Sequence, residues 1–351
     1  MTAPFERERV AGLDAVREDW QRLAEAAGSP FSTWEWASTW WRHFGDDRPL
    51  AVDRVRSGGR TVAILPLYRW RERPLRALRF LGHGVSDQLA PVCAPEDRPV
   101  AAAALREAFE ESGAHLLLAD RLPGEQGWAP LVGGRLMRTE ASPVLDAGGA
   151  DFDGWLATKS KNFRDQARRR ERKLRREHDA VELRLTDDPD RLGADYEQLV
   201  SLHDAHWGER SRSFRGTRRA FHADFTRTAL ERGWLRLWTL EMDGRAVAAW
   251  LGYRFGGIEW YYQAGRDPAL EKEAIGFVLL VHTIRTALDD GMREYRLLLG
   301  GESYKDRFAN ADHGLETVAV ASGARGRAAI AAVAAADRGP EPVRRRMKRL
   351  V

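Results

Sequence analysis

"DGRAVAAWLGYRFGGIEWYYQAGRDP", Asp243 to Pro268, and "AIGFVLLVHTIRTALDDG", Ala274 to Gly291, decide how the chain folds. The turn at Met242-Asp243-Gly244 joins "WLRLWTLEM" to "RAVAAWLGYRF", and "GIEWYYQAG" adds a third strand. The apolar run after them is too long for a strand and reads as a helix. Working outward, "EYRLLLG" is a strand, "SYKDRF" a short segment and "LETVAVA" a last strand. Upstream, "VELRLTDD" alternates as a strand, and "RLGADYEQLVSLHDAHW" and "TRRAFHADFTRTALERG" have helical spacing. The order β, α, α, β, β, β, α, β, α, β predicts a mixed α/β fold.

At 351 residues the chain is long enough for two cores. Glycines and aspartates in "DAGGADFDG" suggest halves at 1–147 and 148–322, followed by an Ala/Arg-rich basic tail at 323–351. "GRTVAILPLYRW", Gly59 to Trp70, lies on "GRAVAAWLGYRF", Gly244 to Phe255, at a constant offset of 185. Duplication of one α/β unit explains this echo, and so does the common pairing of a turn glycine with a β-rich run. Cys93 is the only cysteine, so no internal disulfide forms, and a reducing cytoplasm is expected. The first residues lack the apolar core of a signal peptide, and no run reaches the roughly 20 apolar residues of a membrane span. His203 and His206 are three apart on one helix, a spacing that permits shared ligation, yet with only Asp204 and Glu209 nearby no metal is expected. Walker A, dinucleotide-binding, His-Glu-x-x-His and Gly-x-Ser-x-Gly patterns are absent.

The net charge of +4 conceals a strong asymmetry. "KSKNFRDQARRRERKLRRE", Lys159 to Glu177, carries ten Lys or Arg against three Asp or Glu, and Arg325 to Val351 carries eight against two, leaving an acidic remainder. On a helix Phe163, Ala167 and Leu174 form one apolar stripe, with arginines on the other faces. The stripe is too narrow to sink into a bilayer, and no aromatic residues interleave the arginines for base stacking. The wet face is either solvated or open to an anionic partner: donor phosphates, a lipid-linked diphosphosugar, tRNA or an anionic membrane surface. Nothing points to DNA.

The combination of "SKNFR…RRR", "LHDAHW", "DGRAVAAWLGYRFGGIEWYYQAGRDP", "GFVLLVHTIRTALDDGMREY" and "GGESYKDRF" resembles the CelD-like GNAT acetyltransferases associated with cellulose and exopolysaccharide synthesis. "FSTWEWASTWWRHFG" and "GHGVSDQLAPV" extend the likeness into the first half. That group is similar in turn to tandem-GNAT ligases that add amino acids to cell-wall precursors. The resemblance implies a tandem GNAT-like fold and an N- or O-acyltransferase. It would move an acetyl or other acyl group from acyl-CoA to an amino or hydroxyl group, with a sugar or lipid-linked saccharide as acceptor. It would work in the cytoplasm or at the inner face of the membrane.

The same resemblance assigns roles. The start of the long helix would hold the donor's pyrophosphate through free N–H groups and the helix dipole. Here that loop reads Glu271, Lys272, Glu273, Ala274, Ile275, Gly276, and it departs from the family pattern because Glu271 replaces Gln or Arg and Ala274 replaces a glycine. Lys272 and Arg266 offset the added acid in part. A backbone N–H near Tyr262, Gln263 and Ala264 would polarise the thioester carbonyl. Tyr304 would protonate the leaving thiolate, or simply pack against the strand. Lys305 would bind phosphate or a carboxylate, or pair with Glu302 or Asp306. Asp87 would serve the acceptor as a base, or merely form a turn. His206 and Trp207 would line the acceptor groove, or belong to the core. An aminoacyl-tRNA-dependent ligase and a non-catalytic binding module with a decayed cofactor loop are the alternatives.

Overall fold

The computed structural model describes residues 3–72 and 74–336, so the basic run 337–351 lies outside the described residues. Two compact units emerge, one running to Ser142 with Leu299–Gly301 and the chain from His313, the other Pro143–Leu298 with Glu302–Asp312. The first begins with β1 (Glu6–Arg9), α1 (Arg17–Ala27), α2 (Trp34–Phe44), β2 (Asp53–Ser57), β3 (Arg60–Leu65) and β4 (Leu67–Glu72). It continues through β5 (Leu75–Phe80), β6 (Val92–Cys93), α3 (Arg98–Glu111), β7 (Leu116–Pro123), α4 (Trp128–Val132) and β8 (Arg135–Glu140). The second holds β9 (Pro143–Asp146), α5 (Phe152–Ala157), α6 (Lys161–Glu177), β10 (Val181–Leu185), α7 (Pro189–Trp207) and α8 (Thr217–Glu231). Then come β11 (Leu235–Met242), β12 (Arg245–Phe255), β13 (Ile258–Arg266), α9 (Ile275–Asp289), β14 (Glu294–Arg296) and β15 (Ala311–Asp312). The chain closes with β16 (Leu315–Ala321) and α10 (Gly323–Ala336), back in the first unit.

Three sheets result: an antiparallel one of order β1-β2-β3-β6 and two mixed ones of orders β4-β5-β7-β16-β8 and β10-β11-β12-β13-β14-β9-β15. The α/β order expected for the second half is present from β10 to β14, but the expected last strand is not in its sheet. Leu315–Ala321 pairs instead with β7 and β8 of the first unit. Alternation tells which face of a strand is apolar and says nothing of which sheet receives it. The first fourteen residues of the expected tail form α10, whose Ala329 and Ile330 pack on Leu116, Leu118 and Ala319. The echoed run also divides: Pro66 separates β3 from β4, which belong to different sheets, because proline has no N–H to continue a ladder.

In the second unit the period of two along β12 sorts side chains between layers. Ala248 and Trp250 join α9, α5 and α6 in one core, while Tyr253 meets Phe225 of α8 on the other face at 5.2 Å. Gly265 is what lets α7 lie on β13, since a Cβ there would sit 2.2 Å from the His203 nitrogen. Helix α6 starts at Ser160, whose hydroxyl accepts from the Phe163 N–H. It buries Phe163, Ala167 and Leu174 against the same core, as the stripe predicts.

Two irregularities prepare the site. The β12–β13 register shifts between Leu251 and Gly252, which face Gln263 and Tyr261, so Tyr262 is the extra residue of a bulge. Only glycine fits at 252, where a Cβ would lie 2.2 Å from the Trp250 ring and 2.3 Å from the Trp260 carbonyl. Strand β13 pairs with parallel β14 only over Ile258–Trp260. Beyond that point the edge of β13 from Tyr261 to Arg266 has no strand beside it among the described residues.

Candidate functional site

The parting of β13 from β14 opens a cavity of about 410 Å³. Its walls are Ala248 to Trp250 of β12, Tyr261 and Ala264 to Arg266 of β13, and Ala274 to Phe277 with Leu279 and Leu280 at the start of α9. His206 and Trp207 at the end of α7, Glu271, and Glu302, Tyr304, Arg307 and Phe308 complete it. Every one of these residues belongs to the second unit.

The α9 tip is open. Ala274 precedes the helix with φ 55° and ψ 38°, and no side chain caps it. The carbonyl of Ala274 accepts from Phe277 and Val278, while the N–H groups of Ile275 and Gly276 face the cavity end of the helix without a carbonyl partner among the described residues. Arg266 lies over the tip, its Cδ 3.2 Å from where a Cβ of Gly276 would be. A left-handed alanine costs about 1 kcal/mol relative to glycine, which is the physical content of the Ala274 departure.

Opposite the tip, the Tyr304 hydroxyl donates to the Tyr261 hydroxyl at 3.4 Å. Tyr261 in turn stacks on Trp250 at 5.7 Å and 25°. Although Tyr304 is 38% exposed, the crowding of its hydroxyl, with the Tyr261 phenol and the Glu302 carboxylate close by, raises its pKa above that of a free phenol. Burial likewise raises Tyr261. Both phenols therefore carry their protons at neutral pH and are poised to donate.

His206 forms the far wall, edge-on to Trp207 at 4.8 Å. Burial first, then Arg266 and Arg210, lowers its pKa, with Glu271 pulling the other way. The imidazole is thus neutral at pH 7 and able to accept a proton. The Trp207 indole N–H donates to the Ala264 carbonyl at 3.2 Å, tying the end of α7 to the free stretch of β13.

The cavity brings together Tyr304, Ala264, Ala274, Ile275, Gly276, His206 and Trp207. Other expected residues stand elsewhere. Lys305 is buried, with its ammonium on the Glu302 carboxylate at 3.0 Å and the Leu298 carbonyl at 3.4 Å. Tyr262 turns its hydroxyl to His222, 3.4 Å away. Gln263 is half-buried opposite Leu251, and Lys272 is exposed in the turn before Ala274. Asp87 is in the first unit, where Arg121 donates to it at 3.2 Å. Sequence reasoning missed Tyr261, Trp250, Phe277 and Arg307. The alternation that puts Tyr261 and Ala264 around a bulge was visible only as a β-rich run, and Phe277 read as one more apolar position.

The comparisons with known proteins bear on the fold. Residues 161–306 match the family model described as an acetyltransferase (GNAT) domain. No protein of curated function matches the sequence. Among solved structures, FemX superposes with a TM-score of 0.63 at 10% identity over 90% of this chain and 97% of its own. L-PGS from Bacillus licheniformis gives 0.57 at 13% identity over 92% and 94%. The tandem GNAT protein from the clavulanic acid biosynthesis pathway gives 0.51 at 15% identity over 91% and 99%. At such identities the likeness is one of fold. The chain has a mixed α/β, tandem GNAT-like fold, and its GNAT domain match spans α6 through Tyr304. Among the described residues no helix is long and apolar enough to cross a membrane.

Proposed function

We propose that this chain is a GNAT-type acyltransferase that moves an acetyl or other acyl group from acyl-CoA to an amino or hydroxyl group. A sugar of envelope polysaccharide synthesis is the proposed acceptor, in keeping with the CelD-like motif order. One observation carries the reading: an uncapped helix tip, an unpaired strand edge and a protonated tyrosine line one cavity.

Each part has a task. The Ile275 and Gly276 N–H groups, with Arg266 above them, bind the donor pyrophosphate. A free N–H on the Tyr261–Arg266 edge receives the thioester oxygen as it becomes an oxyanion, a contribution of roughly 3 kcal/mol for one aligned donor. Neutral His206 takes the proton released as the acceptor nitrogen or oxygen bonds to the acyl carbon. When the C–S bond breaks, the Tyr304 O–H protonates the departing thiolate, and Tyr261 is placed to return a proton to Tyr304.

Calorimetry with acetyl-CoA and longer acyl-CoAs, together with a native mass spectrum, tests this. Micromolar binding and a retained coenzyme mass are expected. No heat at millimolar donor would end the proposal.

A second reading, an aminoacyl-tRNA-dependent ligase, draws support from the groove formed by Arg168, Arg172, Arg175 and Arg285 around Glu171. Nuclease-sensitive activity would favour it. The same groove would serve an anionic membrane surface, which vesicle sedimentation with and without anionic lipid distinguishes. The non-catalytic alternative, raised by Glu271 and Ala274, predicts no turnover at all.

A further inference from the structure

Arg307 sits with its guanidinium 5.2 Å from the centre of the Phe277 ring and 5.5 Å from that of Phe163. Arg170, reaching over from α6, lies 5.6 Å from the same Phe277 ring. Two like charges thus share one aromatic ring. Neither has a carboxylate partner among the described residues; Arg307 Nη2 donates instead to the Gln166 amide oxygen at 3.0 Å. Glu302, the acid nearest in sequence on the cavity wall, is already neutralised by Lys305 at 3.0 Å, and Glu271, which also lines the cavity, is close enough to His206 to act on its proton. Stacking on a ring orients a guanidinium while leaving its N–H fork free, and two such forks side by side repel unless an anion lies between them.

Phe277 is in the first turn of α9, so this cationic pair stands within one helical turn of the N–H groups at the tip. The second unit therefore offers two anion sites a short distance apart, one of backbone N–H groups and Arg266, the other of Arg170 and Arg307.

We propose that Arg170 and Arg307 bind a second, separate phosphate of the donor, the one at its nucleotide end, and so select acyl groups carried on coenzyme A over the same groups on pantetheine or a dephosphorylated carrier. The proposal rests on the acyl-CoA reading above and adds the recognition of the donor's far end. Arginine forks match phosphate geometry, and loss of one charge-assisted contact costs on the order of tenfold in affinity.

The test compares kcat/KM for acyl-CoA, 3′-dephospho-acyl-CoA and acyl-pantetheine in the wild type, in Arg170→Ala, in Arg307→Ala and in the double variant. Wild type should prefer acyl-CoA to its 3′-dephospho form by about tenfold or more, through KM. In the double variant that ratio should fall to within about twofold of unity, with Arg170→Lys intermediate. Arg176→Ala, at the exposed end of α6 where it pairs with Glu177, should keep the wild-type ratio. A ratio unchanged in the double variant overturns this inference and leaves the acyltransferase reading standing. Wild-type protein that turns over no coenzyme A thioester overturns both.

Discussion

The two units share a motif and differ at its critical point. In the first, β4 and β5 are antiparallel and α3 precedes β7, which runs parallel to β5; in the second, β12 and β13 are antiparallel and α9 precedes β14, parallel to β13. The hairpins before them, β2–β3 and β11–β12, each turn through two residues with positive φ, Gly58-Gly59 and Asp243-Gly244. The tips of the two helices are opposite in character. At α3 the residue before the helix is Asp97, buried and held by both Arg60 guanidinium nitrogens at 2.9 and 3.0 Å, and a proline occupies the first turn. The cavity beside Val92, Cys93 and Arg98 is only about 30 Å³. At α9 no side chain caps the tip, which faces about 410 Å³. A repeated fold is thus compatible with one copy that is filled and one that holds a site.

The largest expected effect is chemical. Tyr304→Phe should lower kcat by about 100-fold or more with little change in KM, and a far-ultraviolet spectrum equal to wild type would exclude unfolding as the cause. Retained turnover would take the open copy out of the chemistry.

Acid should weaken the second unit next. Burial lowers the pKa of His203, His206, His222 and His282, that of His222 to about 3. A depressed histidine stays neutral when folded while the unfolded chain takes up a proton below pH 6.5. Stability from this source is therefore complete above pH 6.5 and falls as pH drops toward 3. For His222 the loss between pH 7 and pH 5 should be about 2 kcal/mol. Urea titrations at the two pH values measure it, and His222→Gln should flatten the slope.

Copying the closed tip onto the open one sharpens the comparison further. Ala274→Asp should raise the donor KM about tenfold by placing a carboxylate where phosphate binds, without lowering the thermal midpoint. The smallest effect belongs to Ala274→Gly, which relieves the left-handed alanine and should add up to about 1 kcal/mol of stability with KM changed less than about twofold. A loss of stability there would mean that the left-handed conformation is not what the site requires.

Much of this fold is written locally. The Asp243-Gly244 turn, the alternation of β12 and the length of α9 fix a strand, strand, helix order that needs no distant partner to be read. The stripe of Phe163, Ala167 and Leu174 likewise predicts which face of α6 is buried. Tyr304, His206 and the α9 tip were legible as candidates because a resemblance in motif order pointed to them. Pairing of Lys305 with Glu302 was one of its two legible readings, but its burial was not, since nothing in "SYKDRF" tells that its ammonium turns inward onto the Leu298 carbonyl. Arg307 escaped notice, and Arg170 was legible only as part of the basic face of α6, for a related reason: their meeting at Phe277 joins three segments far apart in sequence. The bulge that frees Tyr262 depends on Trp250 filling the space above Gly252, a contact that spacing alone does not encode.

Strand β16 has a consequence for how the protein is made. It lies between β7 and β8, at the inside of the first unit's larger sheet, yet it is synthesised after the whole of the second unit. During translation the N-terminal unit must wait, with two strand edges bare, until residue 321 has left the ribosome. The second unit, complete by Asp312, can close first, and a message cut short after that point would yield a finished site attached to an unfinished, aggregation-prone partner.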